Sequence, residues 1–435
     1  RLIPCPHCKK SSKREPYNFT LEELVANVTR GGSPFIYCQN IKASSRCVRI
    51  DRLAPDVCFK GFKLIKTSEL EVDTLLGEGG FGKVFKGIYA GRTVAIKEPR
   101  AMTEDELAGT YREIFQEAYI MSWLKHPNLV QLVGVSLKPL RMVLEFVAHG
   151  DLFSLLHPEM LPGATPAPPQ VDPGELDAMS FLLEGSKIGG DQPQGLFEEE
   201  PPKAPTCKKS SISAQMQLRI ILDIAKGMEY LQSITPPIIH RDLRSPNVFL
   251  ASLDPSAPVV AKVADFGLSR HVAGKVVGFL GSWQWLAPEV LQERAYDERA
   301  DTYSFAMVMY EVLVGKLPFD ELPNVQFGGV HVKDMSTQRL KEAIIANDLR
   351  PDLPMEVPAK LRAIMEGCWK GKPDDRMPFK DIVVALTAQH VAEFGDLPVV
   401  RDLSLQGCIP QAMNSLAMSG EAAILPDKDA GNDSE

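Results

Sequence analysis

Residues 238–250 read "IIHRDLRSPNVFL", with an aspartate and an asparagine five residues apart, beside His-Arg, between two apolar runs. Those runs draw a short polar loop into the interior, where polar groups without partners are costly. His240, Arg241, Asp242 and Asn247 therefore need a common task. The segments on either side supply it.

On the N-terminal side, "LLGEGGFGKVFKG" (75–87) sets Gly77, Gly79 and Gly82 in a G-x-G-x-x-G pattern, with Val84 two residues on. Leu76, Gly80 and Phe81 complete the loop. Glycines let a backbone approach a polyphosphate closely and aim its N–H groups at it. Dinucleotide-binding folds share the pattern, but there the loop leads from a strand into a helix. Here "KVFKGIYAGRTVAI" is strand-like, so the loop joins two strands. "VAIK" then ends on Lys97, placed to reach the α- and β-phosphates of a nucleotide. Such a lysine needs an anion to hold it. A helix expected over 104–124 offers Glu113 and Glu117. Glu117, nine residues before "HPNLV" (126–130), suits an inward position better; Glu113 is the alternative.

On the C-terminal side, "VADFGLS" (263–269) supplies Asp265, with Phe266 behind it, and "WLAPEV" (285–290) closes the segment. The opening loop now fits H-R-D-L-x-x-x-N: Asp242 accepts or orients the proton of an acceptor hydroxyl, while Asn247 and Asp265 hold Mg²⁺. Five motifs in order and at workable separations are not chance. Over about 68–395 the chain resembles a eukaryotic protein kinase domain.

The resemblance implies an α+β, two-lobed fold, with a β-rich N-lobe, a helical C-lobe and ATP between them. "MVLEFV" (142–147) looks like the hinge, with Leu144 as gatekeeper and the backbone of Glu145 and Val147 facing adenine. Val84, Ala95 and Phe249 match positions that sandwich the base, and Asp151 one that reaches the ribose. Glu289 and Arg376 match a buried ion pair, Asp301 the residue that steadies the HRD backbone. Leu132, Met121, Phe266 and His240 match a stacked apolar spine, so His240 is expected to pack rather than move protons. The HRD arginine, Arg241, clamps a phosphorylated loop in many members, yet Ser269 and Ser282 are the only hydroxyls between Asp265 and Glu289. Activation is therefore expected to depend more on upstream domains than on loop phosphorylation.

Arg244 stands where serine/threonine kinases usually carry Lys, and could screen the transferring phosphoryl group. "GSWQWLAPE" (281–289) places Ser282 where they carry a small hydroxyl residue, which favours Ser/Thr acceptors over Tyr or dual specificity. The motif mixture is similar to the tyrosine-kinase-like group, and within it to the Roco family. That family implies GTPase and COR domains upstream, dimerisation through them, and protein substrates. The rival reading, a pseudokinase scaffold, is disfavoured because Lys97, Asp242, Asn247 and Asp265 are all present.

The totals agree with an intracellular, cytoplasmic enzyme. Of 435 residues, 44% are hydrophobic and 24% charged, enough for a large core. A net charge of −8 argues against nucleic acid as the main partner. No apolar run approaches a membrane span. The chain starts at Arg1 without a signal-peptide pattern, as expected of a piece of a longer protein. Residues 1–66 form a Cys-rich module with a short helix expected at 19–29 and strands at 33–38 and 47–53. Its Cys5, Cys8, Cys38 and Cys47 are candidate ligands of a structural Zn²⁺, with reduced, metal-free cysteines as the alternative. Residues 158–210, rich in Pro, Gly and acid, read as a disordered insertion, and 396–435 as a disordered tail.

Overall fold

The computed structural model of the chain describes residues 62–79, 82–100, 104–160, 212–271, 282–320 and 336–399. It also describes short strands at 2–4, 18–20, 35–37, 47–49, 326–327 and 330–331. Four of these, β1 (Leu2–Pro4), β2 (Asn18–Thr20), β3 (Phe35–Tyr37) and β4 (Cys47–Arg49), form two antiparallel pairs, β1 with β2 and β3 with β4. The strands expected near 33–38 and 47–53 thus appear as β3 and β4. The helix expected at 19–29 does not begin as one, because Phe19 and Thr20 pair with Ile3 and Leu2. Cys5, Cys8 and Cys38 lie outside the described residues, as do 161–210 of the expected insertion and 400–435 of the tail. Pro158–Met160 is a single 3₁₀ turn.

A small body is built on an antiparallel sheet of β5 (Leu70–Gly79), β6 (Gly82–Tyr89), β7 (Arg92–Glu98), β8 (Leu132–Leu137) and β9 (Leu140–Glu145), in the order β5-β6-β7-β9-β8. Alternation along β7 divides its faces. Val94 and Ile96 are buried in a core with Ile65, Leu70 and Val143, while Ala95 and Lys97 take the opposite face. Cross-strand partners put Val84 beside Lys97 and Leu144 beside Ala95, so these four share one wall. Helix α1 (Glu104–Trp123) supplies Ile114, Ala118 and Met121 to the larger core.

The second body is helical. After α2 (Leu152–Leu156) come α3 (Ala214–Ser233), α4 (Pro288–Leu291), α5 (Arg299–Val314), α6 (Thr337–Ala346), α7 (Ala359–Cys368) and α8 (Phe379–Phe394). Ser213 starts α3 by accepting the Met216 N–H on its hydroxyl. Helix α5 is enclosed on every side, with all but Arg299 and Leu313 buried. Its end is set by Gly315, at φ +74°. Two short antiparallel pairs cross the top of this body: β10 (Ile238–Ile239) with β13 (Arg270–His271), and β11 (Val248–Leu250) with β12 (Ala261–Val263). The "HRDLRSPN" loop runs between β10 and β11, facing the small body.

The two bodies meet where the turn after α1 docks on β12 and α3. Asn128 donates its amide to the Ala261 carbonyl at 3.0 Å, and its own carbonyl accepts the Val263 N–H at 2.8 Å. Beside it, His126 stacks on Tyr230 with ring centroids 5.0 Å apart. Burial, then Lys226 and Lys262, push the His126 imidazole down to about 4. The unfolded chain, with a histidine near 6.5, takes up that proton first, so His126 stabilises the fold fully above about pH 6.5 and progressively less towards about pH 4. Urea titrations across that window should show a shallower stability loss in His126→Gln than in the wild type. Equal slopes would contradict this.

Candidate active site

The loop after β10 owes its shape to one buried carboxylate. Asp301, in the first turn of α5, accepts the His240 N–H at 2.7 Å and the Arg241 N–H at 2.9 Å. Arg241 is held at φ +72°, a left-handed conformation that is strained for a residue with a Cβ. Burial raises the Asp301 pKa, while His240 and the two N–H groups oppose it. His240 is fully buried, with Nε2 3.0 Å from the Ala264 carbonyl and its ring edge-on to Phe266 at 5.2 Å. It is a satisfied core residue, as expected.

Asp242 follows, with its carboxylate between two partners. Asn247 donates Nδ2 to Oδ2 at 2.8 Å and to the Asp242 carbonyl at 2.8 Å, and Arg244 Nε lies 3.1 Å from Oδ1. The double donation fixes the Asn247 amide, turning its oxygen away from Asp242. Arg244 also reaches across to the Ser282 hydroxyl, Nη1 to Oγ 3.4 Å. Asp242, Arg244, Asn247 and Ser282 are therefore one connected group.

Above them Lys97 projects from β7 into a pair of carboxylates. Its Nζ lies 2.8 and 2.9 Å from the two oxygens of Glu117 on α1, and 3.5 Å from Asp265 Oδ1. Glu117 is thus the partner that the structure gives to Lys97. Burial alone would lower the lysine pKa, but Glu117 and then Asp265 more than offset it and hold it above the ordinary value. Asp265 is at φ +62°. Burial opposes its charge, yet Lys97 and the Gly267 N–H keep its pKa below the usual carboxylate range. An ionised carboxylate and an amide oxygen are both donors of the hard kind that Mg²⁺ takes.

Val84, Ala95 and Leu144, all half-buried, line the upper wall, and Phe249 on β11 is half-buried below. Leu76 is largely exposed on β5, where Gly77 pairs with Val84 and Gly79 with Gly82. Gly82 sits at φ +131°, and a Cβ there would stand 2.2 Å from the Glu98 carbonyl, so only glycine fits. Gly80 and Phe81 lie outside the described residues. At the back, the Glu145 N–H donates to the Gln131 carbonyl at 2.9 Å, and Val147 packs against the core. Asp151 caps α2, accepting from the Ser154 N–H and hydroxyl at 2.8 Å each.

Residues 70–386 match the family model described as protein tyrosine and serine/threonine kinase. The chain belongs to this family. Among similar proteins, the probable serine/threonine-protein kinase roco11 of Dictyostelium discoideum is 37% identical over 89% of this chain and 22% of its own length. The probable serine/threonine-protein kinase qkgA of the same organism is 34% identical over 89% of this chain and 23% of its own. The serine/threonine-protein kinase STY17 of Arabidopsis thaliana is 29% identical over 76% of this chain and 46% of its own. The chain is therefore a kinase domain similar to those of Roco proteins, and spans about a fifth of the length of the first two relatives. Among the described residues, no helix is long and apolar enough to cross a membrane.

Several of the kinase's contacts were not read from the sequence. Glu145, the last residue of β9, pairs with Lys262 of β12 at 2.7 Å. Arg241 donates Nε to the Tyr296 hydroxyl at 2.8 Å, a contact with protein where a phosphate partner is common in the family. Lys262 is visible as a charged residue within the apolar stretch "VVAKVADF" (259–266), a signal that could have found it, whereas Tyr296 sits in the charged stretch "LQERAYDERA" (291–300), which gives none.

The Lys97 cluster yields a kinetic expectation. Lys97→Met leaves Glu117 and Asp265 facing each other without their cation, and removes a donor from the cleft. The kcat/KM for ATP should fall by about 100-fold or more, the scale of losing one preorganised donor. A change of under about threefold, measured at saturating acceptor, would show that Lys97 does not serve the nucleotide.

Proposed function

We propose that this domain transfers the γ-phosphoryl group of ATP to serine and threonine hydroxyls of proteins. The observation that carries the reading is the doubly held carboxylate of Asp242, one residue group away from Ser282 through Arg244. A carboxylate so fixed accepts or orients the acceptor's proton, and catalysis here is mainly positioning. Magnesium ATP, when bound, supplies the phosphoryl group and the cation that neutralises charge developing on it. Asn247 and Asp265 are the residues to hold Mg²⁺, and Lys97, kept charged by Glu117, is the one to meet the α- and β-phosphates.

The glycine loop, Leu76 to Gly82, is proposed to cover the phosphates. Val84 and Ala95 would lie over adenine and Phe249 under it, with Leu144 behind, Glu145 and Val147 giving backbone groups, and Asp151 at the ribose. Ser282 beside Arg244 and the names of the relatives support Ser/Thr acceptors. The greater length of the Roco relatives supports further domains around this one, and GTPase and COR regions upstream, with dimerisation through them, remain our reading. So do the division at 66–68 and after 395, a structural zinc on Cys5, Cys8, Cys38 and Cys47, and a cytoplasmic setting.

Calorimetric titration with ATP, with and without Mg²⁺, tests the nucleotide half of the proposal. Binding should strengthen with Mg²⁺ in the wild type, and lose most of that gain in Asp265→Asn. Binding indifferent to Mg²⁺ in both would overturn the metal assignment.

A further inference from the structure

The segment "FKLIK" (62–66) precedes residue 70, where the family match begins, yet it is built into the small body. The sheet ends on β8, and a bare edge strand exposes a row of unpaired backbone groups. Residues 63–65 cover part of that edge. Leu64 lies opposite Val135 in parallel; the Ile65 N–H donates to the Val135 carbonyl at 2.9 Å, and the Val135 N–H to the Lys63 carbonyl at 2.9 Å. Ile65 is buried in the small core, while Leu64 is exposed. Farther on, the Thr67 hydroxyl donates to the Lys138 carbonyl and lies 3.2 Å from the Ser136 hydroxyl. Strand β8 is shaped to receive this strap. A Cβ on Gly134 would stand 2.6 Å from the Lys63 carbonyl and 2.7 Å from the Ile65 side chain, so the seat exists only because residue 134 is glycine.

Phe62, at the head of the strap, lands on α1. Its ring meets Phe115 edge-on, with centroids 5.9 Å apart. Phe115 is the first of three aromatic residues spaced one turn apart: it stacks on Tyr119 at 6.1 Å, and Tyr119 meets Trp123 at 6.1 Å. Glu117 comes two residues after Phe115, about 200° round the helix, and faces the cleft. There both of its oxygens meet Lys97, at 2.8 and 2.9 Å. Aromatic pairs prefer a specific geometry, so the Phe62 contact resists sliding of α1. Bonds that short do not survive a slide of about 1 Å, and a misplacement of that size can cost about 100-fold in rate.

We infer that Phe62 is a positioning residue for the nucleotide site: through Phe115 it fixes the register of α1 that brings Glu117 to Lys97. The strap is the stretch by which the upstream chain reaches the kinase body, so a pull or displacement from that side reaches Lys97 by the same route. The small body therefore starts at Phe62, ahead of the division at 66–68. The inference rests on the kinase reading above, through the role given there to Lys97.

The test is calorimetric binding of Mg-ATP to the whole 435-residue chain, followed by kinetics with ATP and a Ser/Thr peptide varied separately. Phe62→Ala should weaken Mg-ATP binding by about tenfold and raise the ATP KM to match, while the peptide KM stays within about twofold. Phe115→Ala should do the same. The double variant should be about as poor as the worse single one, because either loss removes the same contact. Phe62→Tyr keeps the ring and should bind nearly as the wild type does. Leu64→Ala, on the exposed side of the strap, should leave both KM values unchanged. The deciding readout is Phe62→Ala in a Lys97→Met background, where the pair it positions is already gone. Its effect on Mg-ATP binding there should be under about twofold. A loss equal to that in the wild type would mean that Phe62 only supports the fold, and would overturn the inference. So would wild-type binding by Phe62→Ala. Should Phe62→Ala fail to fold, Phe62→Leu goes through the same cycle. If Lys97→Met itself binds Mg-ATP like the wild type, the reading of Lys97 fails first, and the inference with it.

Discussion

Asp242→Asn is expected to lower kcat by about 10²–10⁴-fold, the range of general acid–base catalysis by one positioned group. The substitution changes little else. Asparagine has the same size, and its carbonyl oxygen can still accept from Asn247 or Arg244, the two groups that hold Asp242. The loop backbone is fixed from elsewhere, by Asp301 through His240 and Arg241, so the turn should survive. What disappears is the only group in this cluster able to take a proton from an acceptor hydroxyl. ATP affinity and thermal stability should stay close to the wild type. An Asp242→Asn enzyme with more than about a tenth of wild-type kcat would remove Asp242 from the chemistry.

Arg376→Ala should be the most damaging single change to stability, at about 3–5 kcal/mol, the cost of orphaning one member of a buried pair. Arg376 meets Glu289 through two bonds, at 2.6 and 2.7 Å, and both residues are buried. The guanidinium also donates to the Lys370 and Arg299 carbonyls, and lies over the Tyr303 ring at 5.4 Å. Alanine leaves Glu289 charged and buried, strips two carbonyls of donors, and opens space beside Tyr303. Because Glu289 starts α4, directly after the Ser282 segment, activity should fall with stability. Arg376→Lys restores the charge without the planar fork, so it should recover only part of the loss. Denaturant unfolding that places Arg376→Ala within about 1 kcal/mol of the wild type would mean that Glu289 finds another partner.

The residues that set the site were legible where a motif fixes both residue type and spacing. The glycine pattern, "VAIK", "HRDLRSPN" and "VADFG" are local, and their chemistry follows from adjacency in the chain. Glu117 was legible for another reason: its distance from the "HPNLV" turn fixes which face of α1 it occupies. The enclosed helix α5 was legible from its unbroken apolar run. The ties of its buried Glu311 were not, because their donors come from 66 residues before it, at Ser245, and 26 before it, at Trp285. Only the anomaly of a glutamate in an all-apolar helix pointed to them. Tyr296 as the partner of Arg241 was hidden likewise, since a motif arginine says what it can bind but not what fills that role in a given fold. Phe19 and Thr20 were misread as the start of a helix because "FTLEELVANVT" has helical composition, while the strand they pair with, β1, lies at the chain start.

Phosphorylation of protein serine or threonine is the activity on which the other assignments depend. The most direct measurement is incorporation of labelled phosphate from Mg-ATP into a protein and peptide mixture, beside Asp242→Asn, with the modified residues identified by mass spectrometry. Phosphoserine and phosphothreonine should appear in the wild-type reaction and neither above background in the variant. Transfer confined to tyrosine, or equal transfer by both enzymes, would contradict it.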